Sequence, residues 1–258
     1  MIAKDIAIRK VQEAVEKIRP PPKMKKFYGQ PIGILVLDIR MPRIPGDIGN
    51  ATTFPFPVRY QVIKGVTDKD IVCSNPDVSV GQRVIEEAKI LEEEGVSAIA
   101  TSCGYFAYFQ DEIAAAVDVP VFASSLIQVP LVSKMLGKNK KIGIICASTP
   151  TLSTTHLRKA GIDESIPVVV AGLDKYWSMV RGQNPKSRLH GFEKGVSTVA
   201  KQIVSKNPDV GAIVLECTNL PPAAAAVQEA TGLPVFDMIT LTYMIHDVVA
   251  RKRYIGHM

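Results

Sequence analysis

Two stretches of this chain, VSAIATSC at 96–103 and VGAIVLEC at 210–217, restrict its fold more than any other feature. They lie 114 residues apart (217 − 103 = 114), and the same offset lays PVF at 120–122 on PVF at 234–236 without a gap. Each is an apolar run of strand length that ends in a cysteine. Upstream, IGIL at 32–35 resembles IGII at 142–145, at an offset of 110 (142 − 32 = 110). Apolar strands match one another by chance. A shared terminal cysteine with an ungapped distance to the next strand does not arise so easily. The chain therefore reads as two similar α/β halves that face each other.

The segments around these runs agree. PIGILVLD (31–38) is a continuous apolar run, as in a strand covered on both faces. VGQRVIEEAKILEEEG (80–95) is a helix closed by glycine, and strand and helix patterns alternate from there to the C-terminus. Such alternation predicts an α/β fold with mainly parallel sheets. The expected division is an N-terminal helical extension over 1–27, a first half over 28–138 carrying Cys103 and a second over 139–258 carrying Cys217. The extension is a helix over 3–18 stopped by Pro20 to Pro22, and the C-terminal segment is expected to pack back on the first half. MPRIPGDIGNATTFPFP (41–57) is dense in turn residues and predicts a long loop of the kind that usually serves function.

Composition removes several function classes. The net charge of +6 comes from scattered residues, so neither nucleic acid nor a membrane is an expected partner. The apolar runs are strand-sized, and the N-terminus has no signal-peptide core. Cys73, Cys103, Cys146 and Cys217 are far apart with no CxxC, and the four histidines lack ligand spacing. This points away from metal and disulfides and toward a reducing, cytoplasmic setting.

Ligands in open α/β sheets bind beyond the carboxyl ends of the strands, where Cys103 and Cys217 both lie. Two facing halves would bring both sulfurs to opposite walls of one cleft. If helices begin there, their free N–H groups favour carboxylates and lower a thiol's pKa. A thiolate opposite a thiol is a base opposite an acid, which is what inversion of a stereocentre by two-base proton transfer requires. Cys146, inside an apolar strand, and Cys73, without a symmetric partner, are expected to be packing residues.

ATSCGY (100–105) and LECTNLP (215–221), each closing a strand, resemble the two cysteine motifs of the aspartate/glutamate racemase superfamily, over most of the chain from about residue 31. That superfamily includes hydantoin racemases, arylmalonate decarboxylases and maleate isomerases. The resemblance implies two Rossmann-like halves, a small carboxylate or amino-acid substrate between them, and no cofactor or metal. It makes Cys103 and Cys217 the acid/base pair of a racemase or epimerase, an isomerase independent of pyridoxal phosphate. It places Thr218 at the substrate carboxylate, and Ser148 and Thr151 from CASTPTL (146–152) as further carboxylate ligands, with Thr149 the rival. Asp47 and Asn50 are its candidates near the substrate's amino group, ahead of Asp38.

Gly104 and Tyr105 stand where many of these racemases have Asn-Thr, and Asn219 where they place His or Glu. All three are expected to contact substrate, and the departures leave its identity open. A homodimer, with the N-terminal helix at its interface, also follows from the resemblance. The alternatives are a maleate-type isomerase using one thiolate as nucleophile, other carboxylate chemistry in the same cleft, or a non-catalytic binder of small anions.

Overall fold

The computed structural model describes residues 24–137, 139–174 and 185–256. The helix expected over 3–18, and with it the dimer interface assigned to it, lies outside those residues. Among the described residues, eight strands form two four-stranded parallel sheets. The first holds β1 (Ile32–Leu37), β2 (Val58–Ile63), β3 (Ala98–Thr101) and β4 (Val121–Phe122) in the order β2-β1-β3-β4. In the second, β5 (Lys141–Cys146), β6 (Val168–Gly172), β7 (Val210–Leu215) and β8 (Val235–Phe236) repeat that order as β6-β5-β7-β8. The repeat extends to register. Ile99 pairs with Val121 in one sheet and Ile213 with Val235 in the other, the same pair moved by the sequence offset. The expected α/β architecture of two similar halves is what the chain adopts.

The helices follow local chemistry. α1 is the single turn Asp68–Ile71. α2 (Val78–Glu94) starts where the Asp77 side chain accepts from the Ser79 N–H at 2.8 Å and stops at Gly95, whose φ of 102° is left-handed. Its buried face, Val80, Val84, Ala88 and Leu91, keeps the spacing of one helical stripe against the first sheet. α3 (Gln110–Ala116) and α4 (Val129–Met135) are shorter than the sequence pattern suggests, because each is entered through a 3-10 segment, Gly104–Phe109 and Ser125–Gln128. The second half continues with α5 (Thr154–Lys159), α6 (Pro185–Lys206) and α7 (Ala224–Thr231). A 3-10 turn over Pro221–Ala223 precedes α7, since two prolines supply no N–H to an α-helical ladder.

The chain ends in α8 (Met238–Val249), which leaves the second sheet and packs on the first. Its Met238, Ile239 and Leu241 are buried with Ile32, Ile34 and Ile48 of the first half. Loop 41–57 is closed by its own bonds: the Asn50 side chain donates to the Arg43 carbonyl, and the Thr53 hydroxyl takes the Gly46 N–H. Among the described residues, no helix is long and apolar enough to cross a membrane.

Leu241 is 1% exposed, and its truncation leaves a cavity between α8 and the first sheet. Leu241→Ala is expected to lower unfolding stability by about 2–5 kcal/mol in urea titration. A loss below about 1 kcal/mol would show that α8 is not part of the first half's core.

Candidate active site

Both repeated cysteines sit two residues beyond a central strand, where the chain turns away from its sheet. Cys103 follows β3 and Cys217 follows β7, 8% and 6% exposed. They line one cavity of about 40 Å³ together with Arg43, Ser102 and Glu216. Leu37, Ile39, Met41 and Tyr105 form much of its apolar wall. That volume holds only a few waters.

Hydrogen bonds between the halves set this geometry. The Thr218 hydroxyl donates to the Ser102 carbonyl at 2.6 Å, joining the turn after one cysteine to the residue before the other. The Ser125 hydroxyl donates to the Leu215 carbonyl at 2.7 Å, and the Tyr105 hydroxyl to the Ser148 carbonyl at 2.8 Å. Asn219 reaches the loop: its Nδ2 donates to Asp47 Oδ2 at 2.8 Å. Asp47, fully buried, also takes Arg43 Nη1 at 3.0 Å and the Gly49 N–H at 2.8 Å. Because Asn219 spends its amide N–H on Asp47, its Oδ1 faces Cys217, whose thiol donates to it at 3.8 Å.

At the centre lies Glu216, completely buried, with no hydrogen-bond partner of ordinary geometry on either carboxyl oxygen. Burial raises its pKa to about 8, opposed only by the Ala147 backbone N–H. Room for the carboxyl exists because residue 104 is glycine: a Cβ there would collide with both Glu216 Oε1 and the Glu216 carbonyl oxygen. The glycine that stands where racemases carry asparagine thus has a steric reason.

The cysteines respond to the same surroundings. Burial first, and the Glu216 carboxylate second, push both thiols well above the usual thiol range. The Tyr105 backbone N–H and Arg43 act in the opposite direction on Cys103. The sequence led to the expectation of thiols acidified by helix N-termini. Instead, a 3-10 segment follows Cys103 and a turn leading to the 3-10 segment at Pro221–Ala223 follows Cys217, and burial keeps both thiols neutral.

The other expected residues are placed as follows. Thr218 and Asn219 line the cavity, with their side chains engaged as above, and Gly104 and Tyr105 pack beside it. Ser148 and Thr151 stand behind the Tyr105 hydroxyl, which meets the Ser148 carbonyl and Thr151 Oγ1 at 2.8 Å each, away from the cavity lining. Thr149 opens the 3-10 turn beside them. Asp47 is one bond removed from the cavity, holding Arg43 and Asn219, and Asn50 caps the turn at Ala51–Thr53. Asp38 accepts from the Gly65 N–H on the far side of the loop. Cys146 is buried with its thiol on the Ala171 carbonyl. Arg43 and Glu216 were not among the sequence candidates. One lies in a loop without a motif, and the other reads as the last residue of an apolar strand. Among the described residues, no cluster of His, Cys, Asp or Glu could hold a metal.

A profile of the family described as Asp/Glu/Hydantoin racemase matches residues 62–243. The chain belongs to that family. In fold it is similar to an aspartate racemase homologue from Pyrococcus horikoshii, with a TM-score of 0.55 at 18% identity, covering 86% of this chain and all of that one. In sequence it is 31% identical over 250 residues to a dimethylsulfoniopropionate lyase of Durusdinium sp. clade D, covering 93% of this chain and 82% of the relative. It is 32% identical over 220 residues to dimethylsulfoniopropionate lyase 7 of Emiliania huxleyi, covering 81% of this chain and 64% of that protein. These relatives overturn the expected activity. The resemblance to racemases is correct for family and fold, but a racemase or epimerase, and hence an isomerase, is the wrong reaction class. A lyase fits better. Cysteine symmetry pointed to racemisation because that reaction needs two proton-transfer groups, but symmetry alone does not fix the reaction class.

The raised pKa of Glu216 has a consequence for stability. An unfolded glutamate ionises near pH 4.3. Between there and about pH 8 the folded chain keeps a proton that the unfolded chain has lost, so stability falls as pH rises through that window. Glu216→Gln removes the effect. The variant is expected to match the parent near pH 4 and to be the more stable of the two at pH 8, in urea unfolding at both values. A gap independent of pH would contradict the assignment.

Proposed function

We propose that this protein is a lyase that cleaves dimethylsulfoniopropionate into acrylate and dimethyl sulfide, with Cys103 as the base. The observation that carries the reading is the 31% identity to a dimethylsulfoniopropionate lyase in an alignment that covers 93% of the chain. The cavity is consistent with it. The substrate has a carboxylate at one end and a sulfonium at the other, and its elimination calls for one base and a group facing the carboxylate.

Arg43 lines the cavity with a guanidinium carrying more donors than its bond to Asp47 uses, and it suits the substrate carboxylate. A backbone N–H favours each thiolate, that of Tyr105 at Cys103 and that of Asn219 at Cys217, but Cys217 is held as S–H by its bond to Asn219 Oδ1, whereas Cys103 also feels Arg43. Cys103 is therefore the easier of the two to ionise. Its thiolate removes a proton from the carbon next to the carboxylate. That C–H electron pair becomes the second bond of the alkene, and the C–S pair leaves with sulfur. Dimethyl sulfide departs neutral, acrylate keeps the carboxylate, and Cys103 returns its proton to solvent. Arg43 stabilises the negative charge that builds on the carboxylate side.

Loss of a positioned base typically costs about 10²–10⁴-fold in rate. Cys103→Ser is expected to lower kcat/KM for dimethylsulfoniopropionate within that range, with the fold intact by circular dichroism. Substrate deuterated at the carbon next to the carboxylate is expected to turn over more slowly in the parent enzyme. A Cys103→Ser variant of undiminished kcat/KM would rule out this thiol as base.

A further inference from the structure

Glu216 is not needed as a base in that scheme, yet it is the most costly group in the cavity. A carboxyl with 0% exposure and no hydrogen-bond partner of ordinary geometry is expensive to bury. No cation among the described residues offsets that burial, since the guanidinium on the cavity wall is bonded to Asp47. The fold nevertheless makes room for the carboxyl by keeping glycine at position 104, and Glu216 lines the same cavity as both cysteines. Glu216 also acts at a distance: it is the first charge, after burial, to raise Cys103, Cys146, Cys217 and Tyr105. Charge here is missing on the positive side.

Only certain ligands suit such a group. A carboxylate beside apolar walls, with only the Ala147 backbone N–H near it, is matched by a cation that offers charge without N–H groups, which is an alkylated onium. An ammonium with free N–H groups would need further acceptors to replace its water. The apolar surroundings, Leu37, Ile39, Met41 and Tyr105, accept methyl groups, and an aromatic ring beside a methylated cation adds attraction. We propose that Glu216 is the counter-ion for the onium end of the substrate, and so selects carboxylates carrying a methylated sulfonium over neutral carboxylates of the same shape. The inference rests on the lyase reading for the identity of the substrate, and it concerns recognition rather than the elimination step. It assigns the two poles of the substrate to two residues, Arg43 for the carboxylate and Glu216 for the cation.

Two unreactive ligands separate recognition from chemistry: 3-(trimethylammonio)propionate, an onium, and 4,4-dimethylpentanoate, its neutral isostere. By titration calorimetry at pH 7, the parent enzyme is expected to bind the onium at least about 50-fold more tightly than the isostere. Glu216→Gln, which keeps the shape but cannot ionise, is expected to reduce that ratio to within about threefold. A Glu216→Gln variant that keeps the preference overturns the proposal, as does a parent enzyme with no preference or no affinity for the onium. A second measurement counts protons. Glu216 must ionise to serve as counter-ion, so in buffers of different ionisation enthalpy the parent should release about one proton on binding the onium and none on binding the isostere, and Glu216→Gln should lose that release. Equal proton counts overturn the proposal. Failure of the lyase reading is recognised separately, by absence of dimethyl sulfide from the parent enzyme, whatever the ligand ratio.

Discussion

The 2.6 Å hydrogen bond from the Thr218 hydroxyl to the Ser102 carbonyl makes two strand ends into one site. Each cysteine by itself closes an ordinary parallel strand. Joined through Thr218, the turns that carry them face one another across a cavity of a few waters. The bonds from Ser125 and Tyr105 to the opposite half hold the same seam farther out. All three acceptors are backbone carbonyls at or just beyond the ends of β3, β5 and β7, where the sheets have no further strand hydrogen bonds to offer. The seam satisfies these groups and fixes the distance between the halves with one set of contacts.

Charge is the second constraint. The cavity is lined by one buried carboxyl, two buried thiols, a guanidinium already paired with Asp47 and the half-buried Asp68. Burial favours the uncharged forms of Glu216 and of both thiols. On the lyase reading proposed above, a zwitterionic substrate suits this lining: its carboxylate would face Arg43 and its cation Glu216.

Much of the architecture was legible in the sequence, because parallel strands covered on both faces are continuous apolar runs and the chain writes them twice. The pairing of Cys103 with Cys217 rested on the same arithmetic, and the matching registers of β3–β4 and β7–β8 express it in space. The cavity's charges were hidden for different reasons. Arg43 comes from a loop whose path is fixed by Asp47 and Asn50, contacts that no local pattern announces. Glu216 continues an apolar strand, and its burial became intelligible only with the space left by Gly104. Ser148 and Thr151 were hydroxyl-rich, as ligands often are, but meet a tyrosine hydroxyl here. The reaction itself was misread because two symmetric thiols satisfy racemisation and elimination alike. What separates the two is the ligand's leaving group, which no residue pattern in the chain displays.

The claim that this cavity performs an elimination on a sulfonium carboxylate is tested most directly by its products. The purified protein would be incubated with dimethylsulfoniopropionate, with headspace gas chromatography for dimethyl sulfide and proton NMR for the carboxylate product. The account predicts dimethyl sulfide and acrylate in equal amounts, with the vinyl protons of acrylate growing in step with the gas. No dimethyl sulfide, or dimethyl sulfide accompanied by 3-hydroxypropionate in place of acrylate, would contradict it.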